Sequence, residues 1–145
     1  MARILHIEDH VPLANTLKEL LSGEGHVVDH APHTPAAKHM LSQGQYDLIL
    51  SDNNLGAGYQ KGTDFIRELH DKTEGQHPPV IMFTSDEWQE LVKEGGLAQK
   101  EPIPGAAVAG YVSKLDDNKI PALLALISRF VPPIERSSEG VSPSL

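Results

Sequence analysis

At 145 residues, 39% of them hydrophobic, the chain has enough material for one domain with a proper core and little for a second. A formal charge of −8, from 12 basic and 20 acidic residues with no basic run, excludes a nucleic-acid surface, which needs clustered Lys and Arg to displace counterions. The chain has no cysteine, which excludes disulfides, thiolate nucleophiles and cysteine-based zinc sites; it also has neither a signal-peptide pattern nor an apolar run near the roughly 20 residues of a bilayer span, so a cytoplasmic protein is expected.

The hydrophobic period switches repeatedly along the chain. Arg3–Ile7 is a short continuous apolar run, as in a strand covered on both faces. Pro12 fits the first turn of a helix, and Leu13, Leu17, Leu20 and Leu21 then form one helical face until Gly23 and Gly25. Val27-Val28 reads as a second, weaker strand. Thr34-Pro35 starts a helix with Ala36, Ala37, Met40 and Leu41 on its face, ending at Gly44. Leu48-Ile49-Leu50 is the strongest strand. A glycine-rich loop, Asn53 to Gly62, leads to a helix capped by Thr63, with Phe65, Ile66 and Leu69 as its apolar face.

After Pro78-Pro79 comes the strand Val80–Phe83. Asp86 begins a helix with Trp88, Leu91 and Val92, ended by Gly95-Gly96. Ala106–Val112 contains the last strand. Ile120, Leu123, Leu124, Ile127 and Val131 mark a final helix before Pro132-Pro133. Residues 132–145, rich in Ser, Pro, Glu and Gly, read as a flexible tail. Five strand–helix alternations with short connections predict a doubly wound α/β domain over residues 1–131, a parallel five-stranded sheet between two helical layers.

The residues that carry chemistry fall at the strand ends, the edge where open α/β sheets place their sites. Glu8-Asp9 follows the first strand, Asp52 the third, Thr84 the fourth and Lys114 the fifth. Singly, each has an ordinary reading: a solvated helix start, a strand-to-loop aspartate, a strand-end hydroxyl or cap, a surface lysine. Together they describe a magnesium-assisted phosphoryl site. Three converging carboxylates repel one another unless a cation sits among them, and a hard divalent ion prefers such oxygens. Thr84 and Lys114 supply a hydroxyl and a point charge for a phosphoryl group.

The segments Ile4-Leu-His-Ile-Glu-Asp-His, Tyr46-Asp-Leu-Ile-Leu-Ser-Asp, Val80-Ile-Met-Phe-Thr-Ser and Gly110-Tyr-Val-Ser-Lys resemble those of response-regulator receiver domains of two-component signalling, here of a single-domain type. The resemblance covers about residues 2–131. It implies a flavodoxin-like (βα)5 fold with strand order 2-1-3-4-5. It further implies a phosphoacceptor at Asp52 and a Mg2+ ion held by Glu8, Asp9, Asp52 and the backbone carbonyl of Asn54. Thr84 and Lys114 would contact the phosphoryl oxygens, Thr84 and Tyr111 would form the switch, and Asn54 and Asp86 would tune the phosphoryl lifetime. The implied partners are a histidine kinase or phosphotransfer protein, an output protein, and a second copy meeting the surface of the fourth helix, fifth strand and fifth helix.

The chain also departs from that pattern. Leu115 follows Lys114 where the family usually has a cis proline, so a trans bond is expected. Gly56 stands where proline is common, and Asn53–Gly62 is longer than the usual loop by about two residues, with Tyr59 and Lys61 expected to face solvent rather than contact the site or a partner. Gly95–Gly105 is an extra piece on the signalling face, either a partner contact or a tolerated insertion. His26, His30, His33 and His39 read as surface histidines far from the acids, and His6 as packed and hydrogen-bonded. Competing functions are an N-terminal module excised from a larger regulator or hybrid kinase, and a magnesium-dependent aspartyl-phosphate phosphatase. The phosphatase lacks its second acid, since Asn54 stands there; a flavin-mononucleotide module would need a phosphate-cradling loop where the chain has Glu8-Asp9.

Overall fold

The three central strands of the sheet are buried along nearly their whole length because helices cover both of its faces. The computed structural model describes residues 2–87 and 107–131. In chain order these form β1 (Arg3–Ile7), α1 (Val11–Gly23), β2 (Val27–Ala31), α2 (Thr34–Gln43), β3 (Leu48–Ser51), α3 (Gly62–Thr73), β4 (Val80–Thr84), β5 (Gly110–Ser113) and α4 (Lys119–Phe130). The helix expected from Asp86, with Trp88, the extra piece Gly95–Gly105 and the tail 132–145 lie outside the described residues. The last helix here, α4, is therefore the fifth of the sequence pattern.

The five strands are all parallel, in the order β2-β1-β3-β4-β5. Alternation within the strands sorts the core into two layers. Ile4, Leu48, Leu50, Ile81, Phe83 and Val112 pack with Leu17 and Leu21 of α1 and Leu123 and Ile127 of α4. Leu5, Ile7, Ile49, Val80 and Met82 pack with Ala37 of α2 and Phe65 and Ile66 of α3. No described helix is long and apolar enough to cross a membrane.

Several local expectations shift. Leu20 is not part of the buried face of α1, which consists of Ala14, Leu17 and Leu21; at 39% exposure Leu20 has rotated past the edge of the contact. The cap of α2 is His33, whose Nδ1 accepts the Ala36 N–H at 3.1 Å. Thr63 does not cap α3 but lies in its first turn, where its N–H and Oγ1 both donate to Asn53 Oδ1, at 3.0 and 2.9 Å. The orphan donors of this helix start are thus satisfied from the preceding loop.

The topology fixes where the chemistry can sit. Strand order reverses between β1 and β3, and Ile7 is registered with Ser51, so Glu8-Asp9 and Asp52 leave adjacent strands side by side. Thr84 is registered with Ser113, which brings Lys114 to the same edge.

Candidate functional site

Backbone hydrogen bonds hold the strand ends rigidly. Glu8 N donates to Ala31 O at 2.9 Å, Asp52 N to Ile7 O at 3.0 Å, and Lys114 N to Thr84 O at 2.9 Å. All four site strands are therefore tied one residue before or at the functional side chain. Carboxylate oxygens of Glu8, Asp9 and Asp52 converge within 4.8 Å of one another, with Glu8 and Asp52 buried and Asp9 exposed.

Lys114 bridges the two buried acids. Its Nζ donates to Asp52 Oδ2 at 2.8 Å and lies 2.9 Å from Glu8 Oε1. The same Nζ lies over the Phe83 ring, 5.7 Å from its centroid. The other Asp52 oxygen, Oδ1, accepts the Asn53 N–H at 2.7 Å, and Glu8 Oε2 accepts the His10 N–H at 3.3 Å. Burial pushes the Glu8 carboxyl up to about 7; Lys114 opposes this and the charge of Asp52 adds to it. Burial works against the Lys114 ammonium, but Asp52 and Glu8 outweigh it and hold the pKa above the usual lysine value. Three carboxylates against one ammonium leave the cluster negative. A hard cation with oxygen preference fits this donor set.

On the other side of Asp52 lies the pair expected to form a switch. Thr84 is fully buried, and its Oγ1 accepts the Asp86 N–H at 3.3 Å. Tyr111 is half-buried against the α2–α3 layer, and its hydroxyl donates to the Asp86 backbone carbonyl at 2.6 Å. The Asp86 carboxylate accepts from Asn53 Nδ2 at 2.6 Å and from the exposed Asn54 Nδ2 at 3.1 Å. Every expected site residue thus lies at one edge, and Asp86 touches more of them than its place in the sequence suggested.

His39 is exposed as expected, but other histidines depart from expectation. His26 is buried, at 4% exposure. His30 is not remote: it ends beside the acids, with Nε2 at 2.6 Å from the Glu8 carbonyl oxygen. His33 stacks on Tyr59 with ring centroids 4.6 Å apart. His6 is packed but not hydrogen-bonded, and neither ring nitrogen has a partner among the described residues. Its Nε2 is 3.9 Å from Glu8 Oε1, beyond hydrogen-bond reach. Burial, then the charges of His30 and Lys114, push its pKa down to about 3, so the ring is neutral.

Three local details were not anticipated from sequence. Asn53 is fully buried although it looks like a loop residue. Gly62 is needed for space, because a Cβ there would stand 2.1 Å from the Asp52 carbonyl oxygen. Gly56 has φ +105°, which no proline can adopt, so the departure at that position is built into the longer loop. The Lys114–Leu115 bond is trans, as expected, and Leu115 is 72% exposed.

Comparison with known proteins agrees with this geometry. The family of response regulator receiver domains matches residues 4–99, and the chain belongs to that family. Two-component response regulator PhoP of Pseudomonas aeruginosa is 35% identical over 97 residues, covering 66% of this chain and 40% of PhoP. Chemotaxis protein CheY-3 of Vibrio cholerae is 26% identical over 113 residues, covering 77% of this chain and 79% of CheY-3. The chain spans less than half the length of the regulators PhoP and SilR. Among solved structures, the Mg2+-BeF complex of response regulator TrrA from Thermotoga maritima superposes with a TM-score of 0.70 at 22% identity, covering 90% of this chain and 100% of TrrA. The receiver domain of a Pseudomonas aeruginosa sensor histidine kinase, solved with magnesium in its active-site cleft, gives 0.69 at 21% identity, covering 89% of this chain and 96% of that one. At such identities these two establish the parallel five-stranded receiver fold.

Proposed function

We propose that this chain is a magnesium-dependent phosphoacceptor of a two-component relay, loaded on Asp52. The observation that carries the reading is the Lys114 ammonium bridging Asp52 and Glu8 at 2.8 and 2.9 Å within a cluster of three carboxylates. Glu8, Asp9, Asp52 and the Asn54 carbonyl would hold Mg2+, which when bound supplies positive charge against the phosphoryl oxygens. A carboxylate oxygen of Asp52 forms the new O–P bond. The bond from phosphorus to the donor breaks, its electron pair leaving with the donor group. Lys114 and Thr84 steady the phosphoryl oxygens, and no base is called for because a carboxylate nucleophile, unlike a hydroxyl, has no proton to give up as it attacks.

The donor would be the phosphohistidine of a cytoplasmic kinase or phosphotransfer protein. The output would be a population shift at Thr84 and Tyr111, read by a partner or a second copy on the surface bearing β5 and α4. Partial coverage of PhoP fits the same domain serving as a module of a longer regulator. Incubation with Mg2+ and acetyl phosphate should add one labile phosphoryl by intact mass. Asp52→Ala should add none. A phosphoryl retained in Asp52→Ala would displace the assignment.

The raised Glu8 pKa gives a second expectation. A folded-state value of about 7 against an ordinary 4.5 means the folded protein holds the extra proton between those pH values. The contribution of Glu8 to stability is therefore full below the lower value and is lost as pH rises through the upper one. Mg2+ needs the ionised form, so its Kd should rise about tenfold for each pH unit below 7 and be level above it. Neutral His6, whose folded pKa is depressed, contributes the opposite slope in acid, but it cancels when melting is compared with and without Mg2+ at each pH. A Mg2+ Kd that stays constant between pH 5.5 and 7.5 would mean that Glu8 is either no ligand or already ionised across that range, and the coupling of its proton to the ion would fall.

A further inference from the structure

Asn53 is an amide with no solvent exposure at all, placed immediately after the acceptor aspartate. Such a group survives burial only when its hydrogen bonds are made. Its Oδ1 accepts both the N–H and the Oγ1–H of Thr63, at 3.0 and 2.9 Å, and so fixes the start of α3. Its Nδ2 donates to Asp86 Oδ2 at 2.6 Å, a short, charge-assisted bond. Its backbone N–H donates to Asp52 Oδ1 at 2.7 Å, and its carbonyl accepts Gly62 N–H at 2.8 Å. One residue thus links the acceptor carboxylate, the far end of the long loop and the segment after β4.

Asp86 carries the connection onward. Its backbone carbonyl accepts the Tyr111 hydroxyl at 2.6 Å, and its N–H donates to Thr84 Oγ1 at 3.3 Å. Asn54 adds a second amide to the same carboxylate at 3.1 Å. If the Asp86 carboxylate is released, its backbone is free to move, and the Tyr111 hydroxyl loses a fixed acceptor.

We propose that Asn53 is a positioning residue of the receiver site, which through its amide bond to Asp86 couples the Asp52 loop to Thr84 and Tyr111. It acts through Asp86 rather than on the phosphoryl group. The inference rests on the phosphoacceptor reading, but part of its consequence is present before any phosphoryl is added.

The chemistry of the amide allows the coupling to be separated from the structural role. Asn53→Asp keeps an oxygen for Thr63 but replaces the donor to Asp86 with a second carboxylate. Adding Asp86→Asn exchanges the two groups, so the new amide at position 86 donates to the new carboxylate at position 53. The single variant should change the half-life of phosphoryl-Asp52, measured by intact mass after removal of donor, by about fivefold, the low end of coupling between sites in one protein. In protein carrying fluorotyrosine, it should also shift or broaden the Tyr111 resonance, assigned with Tyr111→Phe. The exchanged pair should restore both readouts.

A role confined to the start of α3 would leave both readouts unmoved in the single variant. An unmoved single variant overturns the proposal, as does an exchanged pair no nearer to wild type than Asn53→Asp. Should the single variant fail to fold, Asp86→Ala, which leaves the Thr63 bonds in place, must move the Tyr111 resonance or the proposal fails. If wild type accepts no phosphoryl group, the phosphoacceptor reading fails, while the Tyr111 resonance of the unmodified protein still decides the coupling.

Discussion

Gly62→Ala is expected to destabilise the chain by more than about 3 kcal/mol and to abolish its response to Mg2+. The added Cβ would stand 2.1 Å from the Asp52 carbonyl oxygen and 3.0 Å from Ser51 Oγ. The first of these is backbone at the end of β3, which is tied to Ile7 by the Asp52 N–H and has no flexible end to move aside. Relief must come from shifting either the strand or the start of α3. Either shift breaks the Gly62 N–H bond to Asn53 O and displaces the Asp52 carboxylate from its neighbours.

Gly58 provides the contrast. Its φ is +85° with nothing within 4 Å of an added Cβ, so Gly58→Ala should cost only the left-handed backbone penalty of about 1–2 kcal/mol and leave Mg2+ binding intact. Denaturant midpoints and Mg2+-dependent melting would check both variants. A Gly62→Ala protein as stable as Gly58→Ala would mean that the strand yields and that the close approach is not a requirement.

The difference between these glycines shows what the sequence could and could not reveal. A continuous apolar run such as Leu48-Ile49-Leu50 announces a strand buried on both faces, because only helices on both sides make that composition tolerable. Once the alternation of strand and helix is read, parallel pairing places Glu8, Asp9, Asp52, Thr84 and Lys114 at one edge, and they are found there. That inference needs only local period and chain direction.

Asn53, Gly62 and His30 were not readable because their roles are long-range. The bonds of Asn53 to Thr63 and Asp86 span 10 and 33 residues, and nothing in the local pattern distinguishes Asn53 from a solvated loop amide. Gly62 resembles any loop glycine until the Asp52 carbonyl is placed beside it. His30 seemed remote because its distance was judged along the chain, yet the β1–β2 register puts it opposite His6, two residues before Glu8. The exposure of Leu20 has a different source. It satisfies the helical period, but a helix buries only the part of its face that the sheet can cover.

Lys114→Met should move two observables in opposite directions, which makes it the sharpest test of the cluster's electrostatics. Methionine keeps a long apolar stem while removing the charge that lies over the Phe83 ring. The side chains of Glu8 and Asp52 are 1% and 9% exposed, so without the ammonium they become buried carboxylates with no counter-charge. Breaking a buried pair in this way costs about 3–5 kcal/mol before the system relaxes. Relaxation is available by proton uptake on Glu8, whose pKa already stands at about 7, or by taking up a cation.

Mg2+ should therefore bind Lys114→Met more tightly than wild type, by about tenfold for each 1.4 kcal/mol of competition removed, because the ammonium no longer occupies Asp52 Oδ2 and Glu8 Oε1. Loading from acetyl phosphate should fall by about a hundredfold or more, since the charge proposed to steady the phosphoryl oxygens is gone. Calorimetric titration with Mg2+ and timed intact mass would read the two effects separately. Weaker Mg2+ binding in the variant would show that Lys114 organises the carboxylates rather than competing for them. The cluster's excess negative charge would then not be what draws the ion.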